Sequence, residues 1–242
     1  MKKYVYLILL VFSNFLSFGQ APDYDDLKIY YADGKFEKLI GAADKYSMKE
    51  DLKKDPYPFM WLAKGLYKMS LSGTSDEKYK GAYKEAIAAL GKSMKIDKDS
   101  ACVIEHKEFV DEFQMSIVER VDLAISANNI KDAAGWASKF YKITKYPLGP
   151  KYIESAAKFK GGDKGGAAVM WKECDVLLNK IVDLSNWSKA DVSLLRIGVL
   201  QVADCYINAR QKDKAVAFLN KVAPWFEEDE EFKAKYDEIV NQ

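Results

Sequence analysis

The chain has 242 residues, 49% apolar and 30% charged, with 37 Lys and Arg against 36 Asp and Glu. That composition excludes a disordered tail, a collagen-like fibre and a disulfide-dense miniprotein, and the near-neutral charge argues against a nucleic-acid binder. With only 14 Gly and 6 Pro, turn-formers are too few for a many-stranded sandwich or barrel, so the chain reads as all-α.

The first element is an address. Lys2 and Lys3 precede an apolar run from Tyr4 to Phe18 that is 15 residues long and broken only by Ser13, Asn14 and Ser17. That is shorter than the roughly 18 to 20 residues of a spanning helix. Residues 1–19 therefore read as a secretory signal peptide cut after Gly19. The ending Ser17-Phe18-Gly19 before Gln20 resembles signal peptides of Gram-negative bacteria that carry type IX secretion, and no Cys follows it to take a lipid anchor. The expected location is the periplasm, with a secreted or outer-membrane-associated protein as the alternative, and no membrane span after cleavage. Removing residues 1–19 takes two lysines and no acid, which leaves 35 basic against 36 acidic residues in a single domain over 20–242.

From residue 23 onward the apolar spacing is helical, and it recurs from turn to turn. Gly34 is followed at offsets of five, nine and twelve by Leu39, Ala43 and Tyr46; Gly81 by Ala86, Leu90 and Ser93; Asn128 by Ala133, Ala137 and Phe140; Gly162 by Ala167, Trp171 and Cys174; Arg210 by Ala215, Leu219 and Val222. Steps of four and three place each set along one helical stripe, with a small or aliphatic residue where two helices come closest. In the second pair a first helix carrying Trp61 and Gly65 ends at Gly73, and Thr74 with Glu77 forms a capping box for a longer second helix. In the third, Asp99 or Ser100 caps one helix running to about Asn128, and Pro147, Gly149 and Pro150 break the chain before the fourth. Ser188 with Asp191 opens the fifth. After Pro224 the acids Glu227, Glu228, Asp229, Glu230 and Glu231 open a last helix ending near Val240, where they favour the helix dipole.

The turns lie 47, 47, 34 and 48 residues apart. Trp61 with Gly65, Tyr206 four before its turn, the small residues Ala86, Ala133, Ala167 and Ala215, and the Gly turns together resemble degenerate tetratricopeptide repeats. The resemblance implies a solenoid of about five antiparallel helical hairpins over most of residues 23–223, closed by a C-terminal capping helix with a polar outer face. It also implies a concave groove lined by first helices. The family's inward offsets of ten, six, three and two residues before a turn give Tyr24, Lys28, Tyr31, Tyr67, Asp122, Tyr152, Phe159, Asp204 and Asn208 as groove residues. Such a groove implies a non-enzymatic adaptor or scaffold. Its partner is another envelope protein or a peptide segment, in the setting of an outer-membrane assembly, secretion or motility complex.

Catalytic and metal chemistry have little to build on, and no cofactor or metal is expected. The single histidine, His106, follows Cys102 by four on a stripe with Phe109, Phe113 and Ile117, which reads as a packed core stripe. As metal ligands, the pair would need two more from elsewhere. Gly161-Gly162-Asp163-Lys164-Gly165-Gly166 resembles a phosphate loop in composition, but Ala167 and Ala168 stand where Ser or Thr is needed, so it reads as a tight turn between helices. The acidic run at 227–231 lacks the alternate spacing of a calcium loop. Three cysteines, Cys102, Cys174 and Cys205, cannot all pair within the chain and read as small buried residues. The 15 Tyr and 12 Phe leave a small-ligand or glycan binder as the second reading.

Overall fold

The computed structural model describes residues 23–241, which form twelve α-helices with short 3₁₀ and π turns and no strand among them. The signal segment and its cleavage point lie outside the described residues. No helix among the described residues is long and apolar enough to cross a membrane.

The helices follow one another as packed neighbours: α1 (Asp25–Ala32) on α2 (Phe36–Ser47), α3 (Pro56–Leu71) on α4 (Ala82–Ile96), and α6 (Lys107–Ser126), preceded by the short α5 (Ala101–Glu105), on α7 (Ile130–Phe140). Then come α8 (Leu148–Lys160) on α9 (Lys164–Leu178), α10 (Lys189–Asn208) on α11 (Lys212–Val222), and α12 (Glu230–Tyr236). Four of the five expected turn residues have the left-handed backbone the reading requires: Gly34 at φ 69°, Asn128 at 56°, Gly162 at 95° and Arg210 at 58°. Gly81 does not. Its φ is −94°, it precedes α4 directly, and the left-handed residue of that pair is Gly73 at 68°. The first residue of the stripe is buried in every pair, Leu39, Ala86, Ala133, Ala167 and Ala215 being fully inaccessible, while Tyr46 and Trp171 farther along it are half-buried.

Two expected helix starts are corrected by local hydrogen bonding, and one expected helix end is reached through a π turn. Thr74 and Glu77 do not open α4: Thr74 Oγ1 accepts from the Asp76 N–H at 3.2 Å and Asp76 accepts from the Lys78 N–H at 2.9 Å. The short polar side chains thus close an isolated 3₁₀ turn, Glu77–Tyr79, and α4 begins five residues later than that turn's first residue. The helix expected from Asp99 or Ser100 to Asn128 is broken at His106 (φ −105°, ψ 24°) and ends at Ser126. Its first turn is capped by Asp97, which accepts from the Cys102 and Val103 N–H groups at 3.3 and 2.8 Å, while Asp99 accepts only from Ala101 N–H. The last helix ends at Tyr236, and a π turn carries the chain through Asn241. The Ser188 start of α10 is as expected: Ser188 Oγ accepts from the Asp191 N–H at 3.1 Å and donates to its carboxylate at 2.7 Å.

Two main clusters and a small N-terminal one make up the interior. Tyr24, Leu27, Leu39, Ala43 and Trp61 form the small one. Helix α10 belongs to both large clusters: Ala190, Leu194 and Ile197 pack with residues of α3, α4, α6 and α7, whereas Leu195, Val199, Leu200 and Val202 pack with α8, α9, α11 and the C-terminal segment. Two glycines allow this. An added Cβ at Gly149 would lie 2.4 Å from Leu195 N, and one at Gly198 would lie 2.7 Å from Gly149 O, so α8 and α10 meet backbone to backbone.

Candidate functional site: a lysine-lined cleft

The nine residues expected along a groove are not brought together on one open face. Tyr24, Tyr67 and Tyr152 are only 5%, 4% and 1% exposed and have no surface to offer a ligand. Tyr24 donates to Asp55 at 2.6 Å and packs on Tyr46 and Tyr57; Tyr67 sits among Tyr83, Phe109 and Phe113; Tyr152 stands edge-on to Phe218. Tyr31 is half-buried against Phe36 and Trp61, and Phe159 stacks on Trp171. Lys28 is paired with Asp23 and Asp25, and Asp204 with Lys235 of α12 at 2.9 Å. Asp122 and Asn208 are exposed. Tyr24 precedes α1 as its left-handed N-cap residue, and the large rings of Tyr24, Tyr67 and Tyr152 complete the interior rather than line a trough.

The histidine, Lys64 and the three thiols, whose proton affinities burial shifts, lie inside the packing. His106 is 8% exposed, edge-on to Tyr57 and Trp61, with Nδ1 3.4 Å from Lys64 Nζ. Burial first, and the Lys64 charge second, hold its pKa down at about 4, so the ring is neutral at pH 7. Lys64 is itself enclosed by the rings of Trp61, Tyr31 and Phe109 at 4.4, 4.8 and 5.7 Å, and burial lowers its pKa. The Cys102 thiol lies 3.9 Å from Ser93 Oγ, so Cys102 and His106 face different partners. Burial raises the three thiols to about 12, 12 and 11 for Cys102, Cys174 and Cys205, which keeps them protonated. Among the described residues no group of three or more His, Cys, Asp or Glu side chains could hold a metal ion. The Gly161–Gly166 stretch is a helix connection, with Asp163 accepting from the Gly166 N–H at 2.8 Å across the first turn of α9.

The open feature that gathers chemistry lies elsewhere, where α4 meets the segment after α7. A cleft of about 510 Å³ is lined by Ala88, Gly91, Met94, Tyr141 and Thr144 and by four lysines. Lys92 and Lys95 are one row, three apart on α4; Lys142 and Lys145 are a second, three apart on the facing segment. Gly91 sets the separation: a Cβ there would lie 2.7 Å from Lys142 O, so the two walls touch through backbone. Tyr141 donates to Glu154 at 2.9 Å, Lys145 donates to Ser100 Oγ at 2.8 Å, and Lys92 sits 3.9 Å above the Phe59 ring. No carboxylate among the described residues lies within 4.0 Å of any of the four ammonium groups, and none lines the cleft. Lys139 has its pKa lowered by burial and by the charges of Lys84 and Lys142, against the opposing charge of Asp132.

A second recess, of about 300 Å³, opens beside Tyr146 and Trp187, whose rings stack at 4.4 Å, with Lys180, Asp183 and Asn186 at its edge. Whole-chain net charge hides the first site, and its rows are about 50 residues apart. The signal available in sequence was the pair of lysine doublets at a spacing of three. Comparison with protein-family models, with curated proteins and with solved structures gives no match.

Proposed function

We propose that the protein is a non-enzymatic adaptor of a Gram-negative cell envelope, exported to the periplasm, in which tetratricopeptide-like helical hairpins in series hold a segment of another protein. The observation that carries the reading is the succession of five packed helix pairs, each with a small or aliphatic residue fully buried on its second helix, beside an open cleft where the second pair meets the end of the third. Stacked helix pairs present extended surface to partners. The burial-shifted groups support binding rather than catalysis: His106, Lys64 and the three thiols are enclosed by helix packing and do not converge on an open recess. Outer-membrane assembly, secretion and surface motility are the settings in which such an adaptor would serve.

In-cell photocrosslinking decides the matter. A photoreactive residue at Met94 in the cleft should capture one dominant envelope protein, and capture of none from any exposed position would end the adaptor reading. A small-ligand or glycan binder is the second reading, favoured by the Tyr146–Trp187 stack beside its own recess. Its mark would be saturable thermal stabilisation by a sugar or other small molecule, lost in Tyr146→Ala.

A further inference from the structure

We propose that the cleft between α4 and residues 141–145 docks an acidic peptide segment, with its carboxylates seated between the Lys92/Lys95 row and the Lys142/Lys145 row. The inference rests on the adaptor reading and gives its partner a chemistry. The recess gathers four ammonium groups, no Asp or Glu is among its lining residues, and no carboxylate of the described residues pairs with any of the four. Four like charges around one recess repel one another, a cost that an anionic occupant relieves.

The arrangement favours dispersed carboxylates over a single phosphate. Phosphate sites converge on a helix N-terminus or an arginine fork. Here the lining holds no arginine, and α4 presents its C-terminal half, residues 88–95, whose dipole disfavours a dense anion. Two facing rows of point charges, one on α4 and one on the 3₁₀ turn and extended segment at 141–145, suit acids distributed along a chain. The floor between the rows is Ala88, Gly91, Met94 and the Tyr141 ring, apolar surface on which intervening aliphatic side chains can rest. The volume falls within the range of about 300–1,000 Å³ common to ligand sites.

The test is fluorescence anisotropy of the purified protein with fluorescein-labelled Glu-Leu-Glu-Leu-Glu-Leu, its Gln-for-Glu counterpart, and inorganic pyrophosphate as competitor. The acidic peptide should bind, more weakly as salt rises from about 0.05 to 0.3 M, and the Gln peptide should not. Lys92→Gln and Lys142→Gln should each weaken binding about fivefold, while Lys38→Gln on α2 changes nothing; circular dichroism checks that all three variants fold. Equal binding of the Gln peptide, indifference to both cleft substitutions, or displacement by pyrophosphate at lower concentration than the peptide itself would each overturn the proposal. The two readings fail separately. A partner captured in cells regardless of Lys92→Gln and Lys142→Gln keeps the adaptor and removes this docking site. An acidic peptide that binds the cleft when no cellular partner is captured anywhere removes the adaptor instead.

Discussion

At the scale of single residues, the Lys64–His106 pair shows what burial does to two bases. Both would be cationic at some accessible pH, and their nitrogens lie 3.4 Å apart inside a ring of aromatics. Neutral imidazole resolves the conflict, at the expense of leaving His106 Nε2 buried without a partner. A folded-state pKa of about 4 against roughly 6.5 in the unfolded chain means the unfolded state binds the extra proton first. The stabilising contribution is complete above the unfolded value and is lost as pH falls from there toward the folded one. Because His106 is the single histidine, its NMR titration is unambiguous. It should titrate far below an ordinary histidine, and Lys64→Met should move its midpoint up without restoring it, since burial is the larger cause. A midpoint near 6.5 in the folded protein would contradict the geometry.

Glycines make a second residue-scale contrast. Gly198 lies inside α10 and Gly41 inside α2, so helix propensity alone favours Ala at both by about 0.5–1 kcal/mol. At Gly41 nothing lies within 4 Å of an added methyl, and Gly41→Ala should stabilise by about that amount. At Gly198 the methyl would meet Gly149 O and Tyr152 Cβ, both at 2.7 Å. Backbone cannot swing aside, so overpacking wins, and Gly198→Ala should destabilise by about 1–3 kcal/mol in urea melts.

At the scale of elements, five of the twelve helices among the described residues start on an N-cap side chain that accepts from the first turn, Asp55, Asn129, Asp163, Ser188 and Asp229, and Ser188 is the most consequential. It accepts from Asp191 N–H and donates to the Asp191 carboxylate, whose other partner is the Thr144 hydroxyl in the cleft segment. The Asp191 side chain is buried, and burial raises its pKa against those hydrogen bonds. Ser188→Ala should cost about 1–2 kcal/mol, the upper end of a cap loss, because it also strips a partner from a buried acid. Equilibrium denaturation measures it; a loss within a few tenths of a kcal/mol would show the cap to be idle. The closing helix is held differently, by Arg196 to Asp229 at 3.2 Å and Lys235 to Asp204 at 2.9 Å. Part of the acidic run thus anchors α12 to α10 rather than serving the dipole alone.

At the scale of the whole molecule, α10 joins the two large clusters. Leu194 packs with the first and its neighbour Leu195 with the second. In a strictly nearest-neighbour array, stability is a sum of adjacent interfaces and the ends can melt alone. Here α10 also touches α6, beyond its immediate partners α8 and α11, and so links distant parts of the chain. Leu194→Ala should cost about 2–5 kcal/mol and still give one unfolding transition by tryptophan fluorescence and by circular dichroism. Two separated transitions in the unmodified protein would show that α10 does not couple the clusters.

By itself the sequence determined the helical class, the apolar stripe of each second helix, most of the turns and the Ser188 cap, because all of these are local: they depend on spacings of three or four residues and on side chains that bond within one turn. The starts near Thr74 and Asp99 were misread at the same scale, where several short polar side chains compete for the same N–H groups and only the folded chain shows which one wins. Tertiary structure alone decided that Tyr24, Tyr67 and Tyr152 fill the interior, since an aromatic ring at an inward helical position fits a groove and a core equally well until its neighbours are placed. It alone decided the lysine cleft too, since charge repelled or gathered across about 50 residues of chain leaves no periodic trace. Backbone contact at Gly91 is what brings the two rows face to face.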